Sequence, residues 1–359
     1  MVNFIDLAKS HRKIEKKLLS KFKNIFKHKK FILGPEVKKF EKMLDDYVGS
    51  KAVCVSSGTD ALLLSLMALD IKKGDEVITT PFTWGSNSEM IKFVGAKPIY
   101  VDVNPKTFNI DENKIKEKIT KKTKAIMTVN LFGQCCNYNK IKKIINGRNI
   151  YIIEDAAQSF GATYYKKKSC NLGDISCTSF FPSKPLGCYG DGGACFTNNK
   201  KLYNRLNILR NHGQIGKNNH VILGHNARMD SIQAAVLIEK LKIFNYEIKL
   251  RKKIAKNYFK LLEKKKDIKQ LPYVENFNTS VFAQFTLIVK NRDKIIKRFK
   301  KNGIPYAIFY PKPLYKQKAF FDNKFKCKFT EKLCNEVISI PFDPYISKKN
   351  QIKISKCFE

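Results

Sequence analysis

Lys184 stands apart from the other lysines of this chain. Most occur in runs such as Lys121–Lys122 or Lys166–Lys168, whereas Lys184 lies in the stretch Thr178–Ala194, TSFFPSKPLGCYGDGGA, with no other charged residue between Asp174 and Asp191. A lysine set among aromatics, prolines and a glycine-rich turn is partly desolvated, which lowers its pKa and frees the amine as a nucleophile. Amines of that kind form Schiff bases with carbonyl compounds, pyridoxal phosphate among them. The segment reads equally well as a surface lysine in a Gly/Pro loop, so other residues have to decide.

Three further constellations bear on it. Ser56-Ser57-Gly58-Thr59 separates a β-like run from an apolar helical run. Backbone N–H groups at a helix start, with a glycine and hydroxyls beside them, bind phosphate; Ser57 or Thr59 would serve equally as a simple N-cap. Asp155 ends the apolar run of IIEDAAQSFGA. A carboxylate there is costly without a cationic partner, which a protonated pyridine nitrogen would supply, and Gln158 lies within reach of the same ring. Asp155 as the cap of the next helix weighs about the same. Trp84, in TPFTWGSN, suits stacking on a ring or burial in a core. Ser179, five residues before Lys184, places a hydroxyl for the phosphate. One cofactor, pyridoxal 5'-phosphate, fits all four.

The elements around these residues form a regular series. Lys51–Val55, Asp75–Thr79, Lys97–Asp102, Lys124–Asn130 and Asn149–Asp155 are nearly continuous apolar strands separated by helical segments, and Cys177–Phe181 and Ala194–Thr197 flank the Lys184 loop. The pattern predicts an α/β fold with a mostly parallel sheet covered on both faces, ligands binding at the carboxyl ends of its strands. Asp230–Glu263 reads as one long helix. Beyond it, Val281–Val289, a helix around Asp293–Lys301 and Ile304–Tyr310 predict a small α+β unit. The expected division is a large domain over 1–240 and a small C-terminal domain over 241–359.

Composition excludes other classes. The apolar runs are short and interrupted, so no membrane span is expected, and the N-terminus shows no signal-peptide pattern. Ten cysteines without framework spacing or a CxxC pair point to reduced core thiols, no metal site and a cytoplasmic location. The net charge of +38 is mostly lysine spread from end to end, with little arginine and no nucleic-acid-binding motif, so no nucleic-acid partner is expected. Walker A, GxGxxG, GxSxG and HExxH patterns are absent.

The motifs SSGTDAL, GDEVITTPFTW, GAKPIYVDV, IIEDAAQSFGA, SFFPSKPLGCYGDGGA, RNHGQ and ARMDSIQAAVL follow one another in the order of the DegT/StrS family of nucleotide-sugar aminotransferases, which the chain resembles. VFAQFTLIV, YPKPLYKQ and ISIPFDPYI continue the resemblance. It implies the type I, aspartate-aminotransferase-like fold with a seven-stranded sheet. It implies roles as well: Lys184 binding the cofactor covalently and moving protons, Asp155 at the pyridine nitrogen, Gln158 and Trp84 at the ring, and Ser57, Gly58, Thr59 and Ser179 at the phosphate. Asn226 would reach the phosphate from the partner subunit of a homodimer with shared active sites. Arg228, on the same loop, would meet an anionic group of the sugar or form an interface salt bridge. Phe309 and Tyr310 would touch the substrate; Phe309, like Asp343, stands where relatives often carry histidine. The run SCNLGDISCTSFFPSKPLGCYGDGGA resembles members that move an amino group from L-glutamate, released as 2-oxoglutarate, to the C3 keto group of a UDP-linked 2-acetamido-3-keto-hexuronic acid for O-antigen synthesis. A C3 or C4 aminotransferase of a dTDP- or UDP-linked keto-deoxyhexose is the alternative, and a non-catalytic regulatory or nucleic-acid-binding protein a distant one.

Overall fold

The computed structural model describes residues 2–359. Helices α1 (Ala8–His28) and α2 (Pro35–Val48) precede the first strand, β1 (Lys51–Val55). There follow α3 (Gly58–Ala68), β2 (Glu76–Thr79), α4 (Ser86–Phe93), β3 (Lys97–Tyr100), β4 (Thr123–Val129), α5 (Tyr138–Ile145) and β5 (Tyr151–Asp155). A short pair, β6 (Thr163–Tyr164) and β7 (Lys167–Lys168), leads to β8 (Ile175–Ser179), β9 (Gly193–Thr197) and α6 (Lys200–Leu209).

Seven of these strands form one sheet in the order β1-β9-β8-β5-β4-β2-β3. Only β9 runs against its neighbours, pairing antiparallel with both β1 and β8; the others share one direction. The apolar runs are continuous because both faces are covered. In β1, Ala52 and Cys54 point into a core with Phe40, Tyr138 and Phe244. Val53 and Val55 point into the opposite core with Leu62, Ile91 and Leu206. This two-residue alternation repeats at Val77/Ile78 and Ile152/Ile153.

Helix α7 (Ser231–Leu262) runs unbroken through residue 240. Its first half buries Ala234, Leu237, Leu241 and Phe244 beneath the large sheet. Its second half buries Ile254, Ala255, Tyr258 and Leu262 against a second sheet. Beyond it lie β10 (Ile268–Gln270), β11 (Asn278–Thr279), β12 (Phe285–Val289), α8 (Arg292–Lys301), α9 (Lys328–Glu336), β13 (Val337–Ile340) and α10 (Lys348–Ser355). Strands β10-β12-β13 form the second sheet, antiparallel throughout. The N-terminus joins this part: Val2 is in its core and Phe4 C=O accepts from Phe342 N–H.

Two expected elements are shorter than the sequence predicts. The strand read over 281–289 begins at Phe285, because Val281 and Ala283 N–H groups turn aside to Gly133 and Phe132 carbonyls and Phe282 lies between them at φ 47°. Ile304–Tyr310 is not a strand: Pro305 interrupts it and a single bridge, Ala307 to Ser339, remains.

Candidate active site

The carboxyl ends of β1, β2, β4, β5 and β8 lie along one edge of the large sheet, and the residues there line a cavity of about 450 Å³. A rim from the C-terminal part of the chain, Gln284, Phe309 and Tyr310, closes its far side.

At the end of β1 the capping reading and the phosphate reading both hold, on different atoms. Ser57 caps α3: its Oγ accepts from Asp60 N–H at 3.0 Å and donates to the Asp60 carboxylate at 3.0 Å. Gly58 and Thr59 begin the helix, so their N–H groups have no intrahelical partner, and both residues line the cavity. The helix bears directly on β8, since a Cβ on Gly58 would lie 2.6 Å from Cβ of Ser179. Only glycine permits that approach, which sets two helix-start N–H groups beside a hydroxyl. A phosphate fits this cradle.

Asp155 ends β5 as a buried carboxylate. One oxygen accepts from Ala157 N–H at 3.0 Å and the other from Asn87 Nδ2 at 3.1 Å. Burial nonetheless pushes its pKa up, the two hydrogen bonds and the nearby Lys184 opposing that only in part. A cationic ring nitrogen is the partner this carboxylate lacks. Asn87 in turn takes the Thr83 hydroxyl at 3.5 Å, so α4 orients β5's carboxylate.

Lys184 follows β8 in a loop pinned at several points. Its own N–H bonds Phe181 C=O, and Cys188 N–H bonds Phe180 C=O. Two side chains of α7 hold the far end, Lys240 donating to Gly187 C=O at 2.5 Å and Gln233 accepting from Tyr189 N–H at 2.9 Å. The half-buried Lys184 side chain lines the cavity. Burial lowers its pKa from the ordinary lysine value, with the Asp155 carboxylate opposing the shift. A desolvated amine, a fixed carboxylate and a phosphate cradle around one cavity are the donor set that pyridoxal phosphate requires.

Gln158 lines the cavity with its carboxamide already engaged, accepting from Phe132 N–H at 2.9 Å and donating to the Tyr310 hydroxyl at 3.2 Å. Trp84 is 67% exposed at the cavity's edge, which rules out the core reading. Tyr310 is buried and its phenol pKa is raised by burial, so it stays protonated. Asn226 and Arg228 do not line this cavity: Arg228 Nε donates to Asn226 Oδ1 at 2.9 Å, on a loop at the surface of the chain. Asp343 is also outside it, buried with its carboxylate accepting from Tyr345 N–H at 2.7 Å.

Sequence reasoning missed Asn87, Thr83 and Gln284. The spacing of Thr83 and Asn87, four apart where β2 gives way to α4, was the available signal. It also missed Glu154, a fully buried carboxylate beside Asp155 that takes five hydrogen bonds, from Asn130, Ser169, Cys170, Leu172 and Ser176. These order the turn entering β8.

The fold and the cavity define a pyridoxal-phosphate-dependent transferase of the aspartate-aminotransferase type. The chain belongs to the DegT/DnrJ/EryC1/StrS aminotransferase family, whose model matches residues 12–359. The UDP-2-acetamido-2-deoxy-3-oxo-D-glucuronate aminotransferase of Pseudomonas aeruginosa is 45% identical over 352 residues, 96% of each chain. The crystal structure of a DegT DnrJ EryC1 StrS aminotransferase from Brucella abortus superposes with a TM-score of 0.94 at 37% identity, covering 99% of this chain and 98% of that one. The crystal structure of NtdA from Bacillus subtilis, with bound cofactor PMP, gives 0.92 at 30% identity, covering 99% and 84%.

Proposed function

We propose that this enzyme transfers the amino group of L-glutamate to the C3 keto group of a UDP-linked 2-acetamido-3-keto-hexuronic acid, for surface polysaccharide synthesis. The observation that carries the chemistry is the desolvated Lys184 amine in the same cavity as Asp155 and the Gly58–Ser179 cradle. The 45% identity to the Pseudomonas enzyme supports the choice of sugar.

Pyridoxal phosphate, when bound, supplies an electron-withdrawing ring that acidifies the C–H beside the transferred nitrogen. Lys184 would hold it through Nζ and, once the donor's amino group has displaced that nitrogen, would take the proton from the donor's carbon and return one, a task for which a lowered pKa suits an amine. Asp155, held by Ala157 and Asn87, keeps the ring nitrogen protonated. Gly58, Thr59 and Ser179 hold the phosphate, with Ser57 fixing the turn that presents them. Gln158 and Trp84 confine the ring, and Phe309 and Tyr310 contact the sugar.

The assembly we propose is a homodimer with shared sites, Asn226 reaching the partner's phosphate cradle and Arg228 the sugar's carboxylate. Asn226 is exposed and stands outside its own chain's cavity, which supports the exchange. Ile215, Val221 and Leu223 on the same loop are exposed apolar residues that a second copy would cover. A division into 1–240 and 241–359 would separate the two sheets, with Leu241 and Phe244 of α7 still packed in the large-sheet core and Val2 in the other. Ten buried, unpaired cysteines support a cytoplasmic setting.

The test is stepwise. L-glutamate added to the cofactor-loaded enzyme is expected to bleach its visible band, and the 3-keto UDP-sugar to restore it. Restoration by a dTDP-keto-deoxyhexose alone would overturn the sugar and keep the chemistry.

A further inference from the structure

Among the described residues that line the cavity, Gln284 alone has a side-chain polar atom that is buried and without a hydrogen-bond partner. It lies just before β12, on the rim that carries Phe309 and Tyr310, and it lines the cavity. Its Oε1 is buried without a hydrogen-bond partner, and its carboxamide makes no hydrogen bond to any described residue. A buried amide oxygen left unsatisfied destabilises the fold. Apolar side chains of similar volume, as in neighbouring Phe285 and Leu287, would avoid that cost.

Gln284 also forms part of the wall of a second, smaller cavity of about 20 Å³ whose polar lining includes Thr107, Gln134, Ser280 and Thr286. That space holds about one water. The carboxamide therefore stands between a site for one fixed water and the reaction cavity. Of the two substrates that use the reaction cavity in turn, a dicarboxylic amino acid presents carboxylates that only accept, so they meet the Nε2 end of a carboxamide and leave Oε1, the unpartnered atom, unmet. A sugar hydroxyl both donates and accepts, and so satisfies either end of a carboxamide.

We infer that Gln284 is a specificity-determining residue that binds a hydroxyl of the sugar ring, backed by a water in the smaller cavity. The inference rests on the proposed sugar-nucleotide reading and adds to it a polar contact from the C-terminal rim. The test measures the two half-reactions separately in the holoenzyme of the wild type and of Gln284→Leu. Bleaching of the bound cofactor by L-glutamate is expected to proceed at the wild-type rate. Amine transfer to UDP-2-acetamido-2-deoxy-3-oxo-D-glucuronate is expected to lose about tenfold in kcat/KM, the equivalent of one hydrogen bond. Thermal stability should hold or rise, since the substitution removes an unsatisfied buried oxygen; a scaffolding glutamine would lower it. Equal slowing of both half-reactions, or unchanged transfer to the sugar, overturns the inference. A wild-type enzyme that glutamate bleaches but this sugar does not restore overturns the substrate reading, and the inference with it, before any variant is compared.

Discussion

The two walls of the cavity differ in how they treat their polar groups. On the large-sheet wall the carboxylate and carboxamide that follow β5 are engaged by the protein, Asp155 by Ala157 and Asn87 and Gln158 by Phe132 and Tyr310, and the Ser57 hydroxyl is engaged by Asp60. On the opposite rim Gln284 has no partner, and Tyr310 accepts from Gln158 while its own proton has no acceptor among the described residues. The first wall is fixed before any ligand arrives, as electrostatic preorganisation requires. The second retains unsatisfied donors and acceptors for a ligand to meet. The contrast teaches that reaction type and substrate choice are written in different parts of the fold.

The sharpest way to break that contrast is at Lys184. Lys184→Ala is expected to reduce turnover by at least about 10⁴-fold, since it removes both the covalent tether and the proton carrier; turnover near wild type in a coupled assay would contradict it. Asp155→Ala should slow both half-reactions, by about 10²- to 10³-fold in single-turnover absorbance measurements, because a preorganised charge serves both. A loss confined to the sugar step would move Asp155 to the other wall.

A smaller effect sharpens the idea that the large-sheet wall is tied down from behind. Asn87→Leu removes one hydrogen bond to a carboxylate, worth about 1.5–3 kcal/mol, and is expected to slow both half-reactions by about 10- to 100-fold. The Asn87→Ser variant should recover part of the loss. Tyr310→Phe sits across the contrast and should cost about fivefold or less in the glutamate step, as one neutral hydrogen bond to Gln158 is removed.

pH supplies the gentlest probe. The charged form of a lysine is not nucleophilic, so cofactor capture by the apoprotein should rise as pH passes upward through the pKa of Lys184. Burial lowers that pKa and Asp155 opposes the shift, so the midpoint is expected below the ordinary lysine value of 10.5. Asp155→Asn should move it lower still. A midpoint at the ordinary value, read by stopped-flow absorbance, would place the amine in water.

The large-sheet wall was the more legible in sequence, for a physical reason. Its residues follow buried strands whose apolar runs are unmistakable, and the end of such a run locates a side chain at the sheet edge. Lys184 and Asp155 were found in this way. Asn87 was not, because an asparagine in a first helical turn has many unremarkable uses. The opposite rim was harder: Ile304–Tyr310 has a strand's composition but Pro305 and one bridge's worth of pairing, and Gln284 lies just outside a strand shortened by the turn at Phe282. Asn226 and Arg228 carried a recognisable motif, yet a single chain does not bring them to its own cavity. Asp343 shows the limit of a motif position, being buried beside Arg251 rather than at the cavity.

Helix α7 acts on the site as a mechanical part. With 32 residues it is a rod about 48 Å long. One end is built into each core, and Gln233 and Lys240 clamp the lysine loop near its start. Hinging the two sheets apart would mean bending that rod or pulling it from a close-packed interior, so the gap between the walls behaves like a fixed jaw. Access to it is then left to the side chains at the opening, where the indole of Trp84 stands 67% exposed.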